Sequence, residues 1–425
     1  MEEIKKIFKI LDKIFIPLFL ICFFLIKIPP FYLFFPLKTS LLTTHTLARG
    51  IVLILFISIL FNAFFQKKYF ADAKQKTLAV LYLFFLFFHS LSVIPAISIV
   101  SFLQRYKDVV FPGLFLFAAL KAGNVKKGII YVLLASLLFN FFYQMFIFAS
   151  PSQFVSWAKE FVYSGHFELV NINLNRARIF IETYDEIALP FVFLFFIKEK
   201  KSKRKVLYLI LFAMIALPSL LSNFRSRVLM LGLSFLASLM FLTKQKLTTS
   251  LFLVASIVVL GLFSVTLLNR TFGFSFVDRF ALEDKVEDIG TVELRGSNIK
   301  TTVEMGTSYP LFGVGLGNYY DYLSPAKKTT ASIVDWVNRE SRIASTNPHN
   351  IFAQILSETG LISLIFYTGM LGYFGYEDLK TLTGKDFVKR AFVLAFWTLF
   401  SYSLFNPTTT LTYNSVFWIL RAMLI

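Results

Sequence analysis

One cysteine, Cys22, occurs in 425 residues. No intramolecular disulfide can form, so the redox compartment is left open. There are four histidines, and the chain has no HExxH, no paired cysteines and no DxD cluster in the segments assigned to the outer side. No metal and no cofactor are therefore expected. Charge is also scarce, at 16% of residues, and 43 Lys+Arg against 25 Asp+Glu gives +18. What is abundant is apolar surface, with 56% hydrophobic residues and 54 phenylalanines. No water-soluble globule could bury that much. The composition excludes a disordered scaffold, a disulfide-stapled secreted domain and a nucleic-acid binder, and it points to an all-α polytopic membrane protein.

About 20 apolar residues cross a bilayer as a helix. Windows of that size predict about twelve spans, near 12–28, 47–65, 77–99, 109–120, 128–149, 179–197, 206–221, 227–243, 250–268, 350–376, 388–405 and 411–425. The fourth is short and carries Pro112, and reads as a tilted or re-entrant segment. With both termini in the cytoplasm, the cytoplasmic segments hold 23 Lys+Arg against 8 acids. Most of the net charge is thus a topology signal and a contact with anionic membrane lipids. No small-residue cleavage site follows the first span, so no cleavable signal peptide is expected. The chain divides into spans one to nine (1–268), a long external loop (269–348) and spans ten to twelve (349–425).

Inside, lysine dominates; outside, arginine does, including Arg105, Arg176, Arg178, Arg225, Arg227, Arg270 and Arg295. Lysine suffices for topology, whereas a planar guanidinium fork suits phosphate or carboxylate. The bland alternative pairs these arginines with external acids, as Glu182, Asp185 and Glu186 could neutralise Arg176 and Arg178. Arg225 and Arg227 diverge by roughly 200° on a helix, so only one of them can face a ligand there.

The loop is expected to be an ordered cap with helix-like stretches at 291–305 and 331–340. Between them, Gly313, Gly315 and Gly317 lack the strand–turn–helix context of a dinucleotide site. They read as a tight turn carrying Tyr319, Tyr320 and Tyr322 to the membrane interface or onto sugar rings. Asn347 as N-cap and Pro348 at the first position predict a helix with His349 in its first turn, where the dipole keeps the imidazole neutral and suited to act as a base. Ala353 and Gly360 leave room on the His349 face. Glu358, about 13 Å deeper at ~1.5 Å per residue, needs a partner and reads as structural.

These residues resemble the bacterial O-antigen ligase and O-antigen polymerase superfamily, integral-membrane glycosyltransferases of the C type. The resemblance rests on Ser226-Arg227 at the head of a span, on Arg295 upstream of the run Tyr309 to Asn318, and on His349-Asn350, nine residues, then Gly360. Twelve spans, with the loop between the ninth and tenth, also look like the ligases. The resemblance implies a multi-pass protein of the bacterial inner membrane with its site on the periplasmic face. The donor would be an undecaprenyl-pyrophosphate-linked glycan. The acceptor would be lipid A-core for a ligase and a carrier-linked glycan for a polymerase. Ser363, where ligases carry Gly, Thr or Tyr, leaves that choice open. A protein-glycosylating activity ranks third.

The resemblance further implies that His349 activates the acceptor hydroxyl and that Arg227 and Arg295 handle the pyrophosphate. Arg225, Arg178 and Arg270 would assist, while Asn350, Glu182, Tyr309 and Gly315 shape the acceptor side or support it. An activated sugar–pyrophosphate bond needs its departing charge stabilised and its acceptor deprotonated, which fits a metal-independent, inverting transfer. The rival class is a lipid-linked glycan transporter or flippase; midplane charges and internal repeats would mark it, and neither stands out here.

Overall fold

The computed structural model describes residues 70, 72–121, 125–149, 170–173, 178–181, 185–221, 225–243, 299–319, 321–323, 350–405 and 411–425. The expected spans 12–28, 47–65 and 250–268 lie outside these residues, as does the expected stretch 331–340. Among the described residues nine helices stand out. They are α1 (Ala73–Leu91), α2 (Ile99–Lys121), α3 (Lys126–Ala149), α4 (Leu189–Lys198), α5 (Ser202–Leu221), α6 (Arg225–Thr243), α7 (Ile351–Thr383), α8 (Phe387–Ser403) and α9 (Leu411–Met423). A further helical stretch covers 299–308. One antiparallel pair, β1 (Val170–Asn173) and β2 (Arg178–Ile181), aligns Val170 with Ile181 and Asn173 with Arg178.

Caps set several boundaries. Asp72 accepts from the Gln75 N–H at 2.8 Å to start α1. Asp386 accepts from Val388 and Lys389 to start α8 directly after Gly384 closes α7. Each cap satisfies N–H groups that the helix itself cannot.

Several expected spans differ from what the structure shows; that at 77–99, for one, ends at Leu91. The segment around Pro112 is neither short nor re-entrant; α2 runs for 23 residues, about 34 Å at ~1.5 Å per residue. Pro112 has no N–H for the carbonyl of Asp108, four residues back, and the Asn414 side chain donates to that oxygen at 2.8 Å instead. Tyr82 serves the adjacent Val109 and Val110 carbonyls at 2.8 and 2.7 Å. The expected span 179–197 is also revised. Its first residues belong to β2, a 3₁₀ turn covers Asp185–Ala188, and α4 has only 10 residues. Alone, α4 reaches about half the ~30 Å hydrocarbon thickness. The reason is electrostatic: Asp185 and Glu186 are held inside the bundle by Arg227.

Trp418 of α9 anchors the main core, with its ring 5.0 Å from Tyr82, 5.7 Å from Phe85 and 5.3 Å from Phe417. A second cluster joins α3, α4, α5 and α6 through Leu137, Leu189, Ile215, Leu231 and Phe235. At the far end of α7, Asp378 binds Arg421 at 2.6 Å and accepts from the Trp397 ring N–H at 2.8 Å.

The outside of the bundle is apolar. Leu83, Phe87, Leu103, Phe142, Leu207 and Ile365 are all exposed, an arrangement suited to lipid rather than water. By length and composition, Ser226–Thr243 (mean hydropathy 1.7) and Ile351–Thr383 (1.4) are the two described helices fit to cross a membrane.

Candidate functional site

The sequence drew attention to the glycine run and to the helix after the loop, and the structure splices the two together. Gly360 sits inside α7 at φ 81, ψ −179, so the helix breaks there. The break frees backbone groups that a helix would pair internally, and these need partners. Residues 310–319 supply them as a strap. Val314 N–H donates to the Ser357 carbonyl at 2.8 Å, Gly315 N–H to the Glu358 carbonyl at 3.0 Å, and Leu361 N–H to the Pro310 carbonyl at 2.7 Å. Gly313, Gly315 and Gly317 have φ of 67, 97 and 77, a region where other residues are strained. A side chain at Gly313 would also meet the Glu358 backbone at 2.5 Å. The space expected beside Gly360 is thus filled by Leu311 and Phe312 of the strap itself.

The same strap grips the α1–α2 turn. Ser98 N–H donates to the Asn318 side chain at 2.7 Å, Leu316 N–H to the Ser92 hydroxyl at 3.2 Å, and the Tyr322 hydroxyl to the Pro95 carbonyl at 2.8 Å. Glu358, expected to need a partner, accepts from the Gln354 side chain at 3.0 Å and from the Gly317 and Tyr319 backbone, with Arg105 as the nearby positive charge. Tyr319 does not reach an interface; its side chain is fully buried among Met305, Val314 and Leu323. Burial pushes its phenol up to about 12, tempered by a hydrogen bond with Thr302. Tyr309 stays exposed at the head of the strap, its ring 5.2 Å from that of Tyr322.

The upper half of α7 begins at Ile351, not at Pro348. Its cap is Asn350, which accepts from Phe352 and Ala353 N–H at 2.9 and 3.1 Å and donates to the Leu404 carbonyl at 3.0 Å. Asn350 is therefore a cap that ties α7 to the end of α8. His349, Arg295, Arg270 and Glu182 lie outside the described residues, and of Arg178 and Arg225 only the backbone is described. The helical stretch 299–308, which starts four residues after Arg295, packs on this same half of α7, with Gly306 against Leu356.

Arg227 is the described member of the expected phosphate-binding set. On the first turn of α6 it points inward, its side chain 2% exposed. Its Nε donates to Glu186 at 2.8 Å and its Nη1 to Gln144 at 3.1 Å, and Asp185 lies 3.9 Å from Nη2. Ser219 donates to Glu186 at 2.7 Å, while Asn140 and Gln144 donate to Asp185 at 2.5 and 3.0 Å. The Arg227 guanidinium is thus buried and engaged by Glu186 and Gln144 beside Asp185. Asp185 and Glu186, two of the acids expected beside Arg176 and Arg178, hold Arg227, while Arg176 lies outside the described residues. Asn140 and Gln144 were missed in the sequence, although two amides four residues apart on one face of an apolar helix signal an interior partner.

Beneath the strap lies a cavity of about 20 Å³, lined by His89, Gln354, Glu358 and Asn414 among others. It has room for a water and none for a sugar ring. Among the described residues no cluster of His, Cys, Asp or Glu could hold a metal ion.

Residues 210–368 match the family model described as O-antigen ligase. Through that stretch, somewhat over a third of its length, the chain is similar to the O-antigen ligase family. The match begins within α5, takes in Arg227 and the whole strap, and ends just beyond the α7 break. The superfamily comprises glycosyltransferase-like enzymes of the inner membrane acting in O-antigen assembly. No curated protein matches the chain.

Proposed function

We propose that this protein transfers a glycan from undecaprenyl pyrophosphate to a sugar hydroxyl at the periplasmic face, with lipid A-core as the acceptor. The observation that carries the reading is the spliced break. The segment following Arg295 and the helix following His349 form one packed unit, held by the strap within the matched domain. In this reading His349 takes the proton of the acceptor hydroxyl as its oxygen attacks the anomeric carbon. The bond from that carbon to the pyrophosphate oxygen breaks, and undecaprenyl pyrophosphate leaves with the electron pair. Arg295, Arg225, Arg178 and Arg270 balance the departing charge. Arg227 contributes through Glu186 and Asp185, by fixing the turn before α4. A single displacement inverts the anomeric centre.

A polymerase is the second reading, which Ser363 leaves open. Its hydroxyl donates to the Phe88 and Thr359 carbonyls at 3.2 and 2.9 Å and so serves packing between α7 and α1.

The test is purified protein with carrier-linked glycan, given either lipid A-core or more carrier-linked repeat. Glycan appearing on lipid A-core, with inverted configuration by NMR and loss of transfer in His349→Ala, is the expected result. Lengthening of the carrier-linked product alone identifies a polymerase, and undiminished transfer by His349→Ala removes His349 as the base.

A further inference from the structure

Most arginines whose side chains are described are committed. Arg227 is held by Glu186, Arg421 by Asp378, and Arg204 lies 3.7 Å from Glu199. Arg390 donates to the Phe241 and Gly384 carbonyls. Arg105, in the second turn of α2, is different. It is half-buried, and among the described residues its guanidinium has no hydrogen bond and no ion pair.

The side chain is nonetheless held in place. A Cβ on Gly317 would lie 2.9 Å from the Arg105 Cγ and 3.0 Å from its Cβ, so the arginine stem rests directly on the bare glycine of the strap. Its charge acts on Glu358, whose carboxylate is already taken by Gln354 and by the Gly317 and Tyr319 N–H groups. Stem and field thus fix a guanidinium with unused donors beside the strap. A half-buried charged donor left without an acceptor is costly, and a planar fork matches phosphate oxygens. The same helix exposes Ile99, Val100, Leu103 and Phe111 on its outer side, so α2 borders lipid.

We propose that Arg105 binds a phosphate group of a membrane lipid at the edge of the strap. The proposal deepens the transferase reading and rests on it for one point, that the phosphate is the pyrophosphate of the donor carrier. The same chemistry is offered by a phospholipid headgroup.

The experiment uses the full chain in phosphatidylcholine nanodiscs, titrated with undecaprenyl pyrophosphate in one arm and phosphatidylglycerol in the other. Arg105→Gln is expected to weaken undecaprenyl pyrophosphate binding by about tenfold or more. Arg105→Lys should recover only part of it, and Lys107→Gln, an exposed charge two residues on, none of the loss. A loss confined to phosphatidylglycerol supports the phosphate site and assigns it to the headgroup, overturning the donor assignment. Unchanged binding of both lipids by Arg105→Gln overturns the site altogether. Arg105-dependent binding by a wild-type protein that transfers no glycan upholds the site and removes the transferase reading instead.

Discussion

The Asn414 side chain reaches from α9 to the Asp108 carbonyl of α2 at 2.8 Å, filling the hydrogen bond that Pro112 cannot make. Asn414→Leu should therefore remove that bond and lower stability by about 1–3 kcal/mol. Pro112→Ala restores an N–H at the right position, so Asn414→Leu should cost far less in that background. A thermal double-mutant cycle, read by fluorescence-detected size exclusion, measures the coupling.

Gly313 and Gly360 both need positive φ, and both lie against backbone, not flexible side chains. Replacing either with alanine should destabilise the protein by roughly 1–3 kcal/mol. Amide exchange at Val314, Gly315 and Leu361 should rise in both variants, while the amides of α8 stay protected.

Breaking the Arg227 network should be severe. Arg227→Met removes the buried cation that Glu186 holds at 2.8 Å, a loss of about 3–5 kcal/mol. Arg227→Met combined with Glu186→Gln and Asp185→Asn should recover much of the stability, because the uncompensated charge is gone. Recovery of fold without recovery of transfer would separate the structural part of Arg227 from any part in the reaction.

Tyr319 gives a pH signature. Its folded-state phenol lies near 12 because of burial, against about 10 when unfolded. The stability it adds is complete below pH 10 and disappears as pH rises from 10 through 12, at most about 2–3 kcal/mol. Tyr319→Phe should remove that alkaline dependence between pH 10 and 12 in urea titrations monitored by tryptophan fluorescence.

Much of the helix pattern was legible because apolar runs and basic connections are local signals. The positions of α3, α5, α6, α8 and α9 follow their sequence windows within a few residues. The start of α7 was misplaced because Asn347-Pro348 and Asn350 both satisfy capping rules, and only the contact of Asn350 with Leu404 distinguishes them. The strap was visible as three glycines, but not its destination, since a backbone-to-backbone splice has no side-chain signature. The α4 span failed for the opposite reason: Asp185 and Glu186 were visible, but their partner lies 41 and more positions away on another helix. Of the candidate site, Arg227, Asn350, Tyr309 and Gly315 received a described environment, and for Arg227 and Gly315 the contacts that define it are long-range.

The bond from Leu316 to Ser92 joins positions 224 residues apart, and this constrains how the chain is assembled. The α1–α2 turn leaves the ribosome first, the strap follows much later, and the residues that complete the splice emerge last of the three. The upper half of α7 must therefore be inserted as an interrupted segment whose exposed carbonyls find a waiting peptide. A ribosome-arrested chain ending before Leu361 would have the receptor turn and the strap but lack the last donor that closes the joint.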